Sequence, residues 1–177
     1  MYHPPLVARI AACQRAYEMK ETVIDVLMYL FQNYIDGDLE IGSDRESLKV
    51  ELSAAGFPHA EINKAFNWLE GLAIMHDGIA GKQGPRTQST RIYSIPEVRK
   101  LNLECRGFLL HLEQTGILDA TARELVIDRV MALESTEISL DQLKWIVLMV
   151  MFNQPGQEAA IAWMEDLFFE EPAANIH

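Results

Sequence analysis

The sequence is poor in the residues that secreted and nucleic-acid-binding proteins rely on. It holds two cysteines, Cys13 and Cys105, in unlike surroundings and with no CxxC pair. That excludes a disulfide framework and points to a reducing, cytoplasmic compartment. Bases are scarce, with 15 Lys and Arg against 26 Asp and Glu, for a net charge of -11. A field of that sign repels phosphate backbones at long range, although a local basic patch can prevail at close quarters. Long apolar runs are missing too. The longest, Trp145 to Phe152, has eight residues, whereas a membrane-spanning helix needs roughly 20, so no membrane partner is expected. The opening residues lack the apolar stretch of a signal peptide.

The motifs of common catalysts are absent as well. The five histidines, His3, His59, His76, His111 and His177, are scattered, with no HExxH and no Cys/His spacing suited to zinc. His59 and His76 flank one helix and read as satisfied or solvated. Gly78, Gly81 and Gly84 lack the lysine and hydroxyl that end a phosphate-binding loop, and no GxSxG elbow occurs. Cys105 beside Arg106 would favour a thiolate if both were exposed, but it opens an apolar run and reads as a buried structural cysteine. The expectation is a non-enzyme without catalytic residues, metal or cofactor.

What is present is helical periodicity. Val23, Val26, Leu27, Leu30 and Phe31 mark a helix that stops at Asp36-Gly37-Asp38. Ser43-Asp44-Arg45-Glu46 is a capping box for a short helix with Leu48 and Leu52 inward and Gly56 as its C-cap. Pro58 starts a third helix with Ile62, Phe66, Leu69 and Ala73 as its buried stripe. Glycines and Pro85 then break the pattern, and Gln88 to Tyr93 reads as a strand. Three helices followed by a glycine-bearing hairpin is the order of a winged helix.

Ser94-Ile95-Pro96-Glu97 and Ser139-Leu140-Asp141-Gln142 are two further capping boxes in a helical second half. Between them Leu103, Phe108, Leu109 and Leu112, with Leu110 as a further inward candidate, line a helix ending near Gly116. Asp119 or Thr121 caps the next helix, with Leu125, Val126, Val130 and Leu133 on one side. The run from Trp145 to Phe152 is a central buried helix closed by Pro155-Gly156, and Ile161, Met164, Leu167 and Phe168 form a last amphipathic one.

The expected fold is mainly α: a winged-helix-like N-terminal lobe with a short β-hairpin, packed on a C-terminal helical bundle. The boundaries are 19–95 for the lobe, 96–171 for the bundle and 172–177 for a tail. Residues 1–18, with Pro4-Pro5 and a second methionine at Met19, read as a disordered extension or a non-native start.

Several segments resemble one family in order and spacing. Ile24-Asp25-Val26-Leu27-Met28-Tyr29-Leu30-Phe31, Trp68-Leu69-Glu70, Arg91-Ile92-Tyr93, Cys105-Arg106-Gly107-Phe108-Leu109-Leu110 and Leu143-Lys144-Trp145 are similar to the bacterial Smg family, the DUF494 group. The resemblance spans about residue 20 to residue 168. It brings no established catalytic residues. It does bring a gene neighbourhood of DNA-processing and topoisomerase functions, an association rather than a mechanism.

Two functional readings remain. Asn63, Lys64 and Asn67 share a face of the third helix, and Lys82, Arg86 and Arg91 lie in the wing. Asparagine can pair with adenine and lysine with guanine or phosphate, so these six residues are candidates for nucleic-acid contact. The net charge, with Glu61 and Glu70 on the same helix, favours the other reading, in which they meet a protein partner. Trp68 and Trp163 stand at stripe margins, where an interface anchor is outweighed by a half-buried core role.

Overall fold

A computed structural model of the chain describes residues 22–35, 45–79 and 91–153. Among the described residues there are seven helices: α1 (Val23–Ile35), α2 (Arg45–Ala54), α3 (His59–Ile79), α4 (Ile95–Lys100), α5 (Leu103–Gln114), α6 (Ala120–Met131) and α7 (Leu140–Phe152). They divide into two compact units between Asn67 and Trp68, inside α3.

In the first unit α1 buries Val23, Ile24, Val26, Leu27, Met28 and Leu30. Its start is a reciprocal cap between Thr22 and Asp25. The Thr22 amide and hydroxyl donate to Asp25 Oδ2 at 3.1 and 2.7 Å, placing a carboxylate where the helix dipole is positive. The α2 helix buries Leu52 and ends as expected at Gly56, whose φ is +98°. There the Phe57 amide reaches back to the Leu52 carbonyl at 3.1 Å, the six-to-one bond of a Schellman turn. Phe57 then meets Tyr29 edge-on, with centroids 5.4 Å apart.

In the second unit α7 packs on α6 and α5, and α6 also meets α4 and α5. From Leu143 to Met151 all but Lys144 of α7 is buried, so the helix is enclosed on every side, as an apolar run demands. Its start is the Ser139 capping box: Ser139 N–H donates to Gln142 Oε1 at 3.0 Å, and Gln142 N–H to Ser139 Oγ at 3.2 Å. Asp119, not Thr121, caps α6, accepting from the Ala122 amide at 2.7 Å. Cys105, Leu109 and Leu112 form the inner row of α5. Leu103, expected inward, is 77% exposed because it lies on the opposite side of that helix.

A lysine fastens two connections. Lys100 is buried, and its ammonium donates to the Leu133 carbonyl and, at 3.5 Å, to that of Met131, at the end of α6. Helix C-terminal carbonyls carry partial negative charge and attract a cation. Burial pushes the lysine pKa down from its ordinary value. Its own carbonyl accepts from Ile138 N–H at 3.0 Å, beside a single parallel bridge between Leu101 and Ile138.

The expected winged-helix lobe with its hairpin is not supported. Residues 80–90, with most of the hairpin, lie outside the described residues, and Arg91–Tyr93, the end of its second strand, join no ladder. The physical reason for the latter is that Arg91 and the residues after it serve as the lead into α4, held by side chains rather than by a partner strand. The N-terminal extension, the Ser43 cap, the Pro155-Gly156 stop and the last amphipathic helix also lie outside the described residues. What stands is a mainly helical protein.

The α3 stripe is rotated from its expectation. Ile62, Ala65, Phe66, Trp68 and Leu72 are buried, Leu69 is partly so, and Ala73 is exposed. Trp68 is the cause, being 4% exposed and locked to α6. Its indole N–H donates to the Arg129 carbonyl at 2.8 Å, and Arg129 Nη1 donates back to the Trp68 carbonyl at 3.2 Å. Gly71, one turn along, makes room: a Cβ there would collide with Arg129 Nη1 and stand 3.1 Å from Cζ. In an ordinary helix interior Gly→Ala stabilises by roughly 1 kcal/mol. Here Gly71→Ala should instead destabilise by about 1–2 kcal/mol, because the guanidinium must leave its acceptor. Urea denaturation of the variant gives the sign directly.

Candidate functional site

The sequence-derived candidates fall in different surroundings. Asn63 and Asn67 are exposed on α3, four residues apart and therefore on one helical face. Lys64 borders that face, half-exposed, with its ammonium 3.1 Å from Glu61 Oε1. Beyond Asn67 the same stripe continues to Glu70, also exposed. On the other side Ile62, Ala65 and Phe66 are buried. The α3 surface is thus a polar strip of two amides, an ion pair and a second carboxylate. Lys82 and Arg86 lie outside the described residues.

Arg91 sits elsewhere, at the centre of an ion-pair chain in the second unit. Its Nη1 and Nη2 donate to both oxygens of Glu97 at 3.0 and 2.8 Å. Its Nε and Nη2 donate to both oxygens of Glu124 at 2.7 and 2.9 Å. Glu124 is shared with Arg123, whose Nε and Nη2 lie 3.1 and 2.9 Å from Oε1. Arg123 Nη1 in turn holds both oxygens of Glu113, at 2.6 and 2.7 Å. The order is Glu97, Arg91, Glu124, Arg123, Glu113, alternating in sign, which ties the lead into α4 to α6 and α5. Bidentate arginine–carboxylate bonds of this kind are among the stronger polar contacts. Tyr93 packs under Arg91, with the guanidinium carbon 4.8 Å from its ring centroid.

The titration behaviour follows from these bonds. Arg91's hydrogen bonds, with that of the Ser94 amide, hold Glu97 at a pKa of about 2, against the opposing effect of burial. For Glu124 burial acts upward, but the bonds from Arg91 and Arg123 outweigh it and the net shift is down. Arg91 itself is driven further up by Glu97 and Glu124. Arg91, Glu97, Arg123 and Glu124 are all shifted towards their charged forms, so none of these four is poised to exchange a proton near neutrality.

Other reactive groups are similarly occupied. Cys105 is fully buried, with its thiol 3.4 Å from the Ile138 carbonyl, and burial pushes its pKa up. An upward shift leaves less thiolate and a weaker nucleophile. A shallow recess of about 430 Å³ between α3 and α6 is lined by Met75, Leu125, Arg123, Glu124 and Asp128. Its charged members belong to the ion pairs: Arg123 and Glu124 to the chain above, and Asp128 takes Arg129 Nη2 at 2.6 Å. Among the described residues no three His, Cys, Asp or Glu side chains group as a metal site, and no helix is long and apolar enough to cross a membrane.

Sequence reasoning missed Thr22, Lys100, Arg123 and Arg129. Thr22-x-x-Asp25 was a readable capping pattern. For the three buried cations the sequence shows at most a neighbouring carboxylate, Glu124 beside Arg123 and Asp128 beside Arg129, while the acceptors that bury them, Glu113, the Trp68 carbonyl and the Leu133 carbonyl, lie on other elements.

A family model described as "Protein of unknown function (DUF494)" matches residues 23–177. The chain belongs to this family. Curated relatives carry the name Protein Smg homolog. The one from Nitrosococcus oceani is 57% identical over 159 residues, covering 90% of this chain and all of the relative. Those from Thioalkalivibrio sulfidiphilus and Stenotrophomonas maltophilia are each 55% identical, covering 90% and 87% of this chain and 100% and 98% of their own lengths. No solved structure matches. The Smg assignment agrees with the resemblance drawn from the five sequence segments, and each of those segments contributes a buried or ion-paired residue: Leu27, Trp68, Arg91, Cys105 and Leu143.

Proposed function

We propose that this Smg-family chain is a non-enzymatic cytoplasmic interaction protein that meets a protein partner through the polar face of α3. Asn63, Lys64 and Asn67 form the contact, Lys82 and Arg86 are further contact candidates, and the setting is DNA-processing or other information-handling machinery. The observation that carries the reading is the contrast in how polar groups are used. Asn63 and Asn67 are presented to solvent, whereas Arg91, Arg123, Arg129 and Lys100 are consumed by carboxylates or carbonyls of the chain itself. Arg91 in this reading positions the chain leading into α4 and is not a contact residue.

Direct nucleic-acid binding by the same residues is the second reading, favoured by two amides and a lysine on one helix. Charge weighs against it. Lys64 already faces Glu61, Arg91 already faces two glutamates, and the chain carries -11 overall. A phosphate contact by Lys64 or Arg91 would compete with an existing ion pair.

Affinity capture from cell extract tests the proposal. The triple variant Asn63→Ala, Lys64→Ala, Asn67→Ala changes only exposed or half-exposed groups and should fold normally. It is expected to lose a protein that the unmodified chain retains at moderate salt. Identical capture by both chains would remove α3 from the contact.

A further inference from the structure

The outward sides of α4 and α5 are built unlike a solvated surface. Among the described residues, five of the eight large apolar side chains that stand exposed lie between residues 92 and 110. On α4 these are Ile95, 71% exposed, and Val98, with exposed Arg99 beside them. They lie opposite Glu97 and Lys100, which tie that helix to Arg91 and to the end of α6. On α5 Leu103 and Leu110 lie opposite the buried Cys105, Leu109 and Leu112, and half-buried Arg106 borders their row. The two rows adjoin. Arg99 and Leu103 are four residues apart, which limits their α carbons to a separation of about 14 Å. Arg106 also packs on Tyr93 at the entry to α4, its guanidinium carbon 5.9 Å from the ring centroid.

Charge indicates what such a surface meets. In a chain with 26 acids and 15 bases, Lys49, Lys64, Arg91, Arg123 and Arg129 each hold a carboxylate. Among the described residues Arg99 and Arg106 hold none; Arg106 reaches only the Asn102 carbonyl at 3.4 Å and the Tyr93 ring. Cations left over where acids are in excess, and set among exposed aliphatic side chains, suit a carboxylate that arrives from outside. Gly107, between Leu103 and Leu110, points to the shape of the visitor. Its φ is not positive, and a Cβ there would meet nothing within 4 Å, so the chain itself has no use for a residue that weakens a helix interior. Leu103, Gly107 and Leu110 stand at i, i+4 and i+7, the seam on which a second helix packs, and the glycine lets its backbone come close. We infer that this surface docks an acidic amphipathic helix of a partner protein, with its apolar face on Leu103, Gly107 and Leu110 and its carboxylates on Arg99 and Arg106. Residues 91–114 hold four bases and three acids, so a short acidic helix meets a locally balanced surface. An anionic bilayer would face the repulsion of the whole chain's -11.

Fluorescence anisotropy of the full chain with a labelled, end-capped helical peptide tests the docking. The peptide has about 18 residues, leucine along one helical face and glutamate on both flanks. At about 150 mM salt the unmodified chain should bind it with a Kd of about 10–100 μM. Arg99→Glu with Arg106→Glu, at positions that hold no ion pair, should keep its helical content and bind about tenfold more weakly or worse. Gly107→Gln improves helix propensity and so should melt no lower, yet bind more weakly by a similar factor. Absence of saturation at about 500 μM, or equal binding by the double variant, overturns the proposal. So does either rival occupant of the surface. One is a dimer of the unmodified chain in sedimentation equilibrium that Leu103→Glu dissociates. The other is flotation with phosphatidylcholine–phosphatidylglycerol vesicles that Leu103→Glu abolishes. Asn63, Lys64 and Asn67 take no part in this surface, so each outcome leaves the contact on α3 to be judged by capture alone.

Discussion

Replacing Trp68 by alanine is expected to cost about 3–5 kcal/mol, the largest single effect available in the second unit. The side chain is 4% exposed and bridges α3 to α6. Its loss removes the buried indole, the 2.8 Å bond to the Arg129 carbonyl and the ring beside the guanidinium, whose carbon is 5.9 Å from the centroid. Arg129 is then left buried with fewer partners, which is costly in itself. Trp68→Phe separates the contributions by keeping an aromatic while deleting the donor, and should cost about 1–2 kcal/mol. Urea midpoints at one protein concentration give both numbers. A cost below about 1 kcal/mol for Trp68→Ala would mean that the lock does not stabilise the fold as described.

The second large effect is electrostatic. Arg91→Ala removes the cation between Glu97 and Glu124 and, among the described residues, leaves the Glu97 side chain with the Ser94 amide as its hydrogen-bond donor. The expected cost near neutrality is about 2–3 kcal/mol, below the value for a fully buried pair because Glu124 is half exposed. The pH dependence is specific. Glu97 has a folded pKa of about 2 against an ordinary 4.5. Its contribution is therefore fully present above about 4.5 and is lost as pH falls towards about 2. Glu124, also shifted down, acts in the same sense. The unmodified chain should lose stability across that acid window, and Arg91→Ala should lose much less, so the two curves converge. Denaturant midpoints measured at neutral pH and through the acid window check this; parallel curves would mean that the arginine does not hold these carboxylates.

Much of the helical half was legible in local patterns. The Ser94 and Ser139 caps, the Gly56 and Gly116 stops, the buried Cys105 and the enclosed α7 all depend on residues within a turn or so of one another. Local spacing determines such features. The long-range bonds of the cations were not legible, because those of Arg91, Arg129 and Lys100 reach 33, 61 and 33 residues away to Glu124, Trp68 and Leu133. A lone arginine before a helix looks the same whether it awaits a phosphate or holds a glutamate. Leu103 misled for a related reason: helical periodicity groups apolar residues into faces, and α5 has two. The α3 strip of Asn63, Lys64 and Asn67 was legible as a face, since exposure follows from spacing, while what it meets is not a property of spacing at all.

The account turns on protein contact rather than phosphate contact. Fluorescence anisotropy of labelled duplex DNA, single-stranded DNA and RNA with the full chain, beginning at low salt, addresses that choice most directly. The expected result is no binding beyond a weak signal that the Asn63→Ala, Lys64→Ala, Asn67→Ala variant reproduces. Binding whose logarithm falls with the logarithm of salt at a slope of about -2 to -3, as three phosphate contacts by Lys82, Arg86 and Arg91 would give, and which is lost in Arg86→Glu with Arg91→Glu, would contradict it.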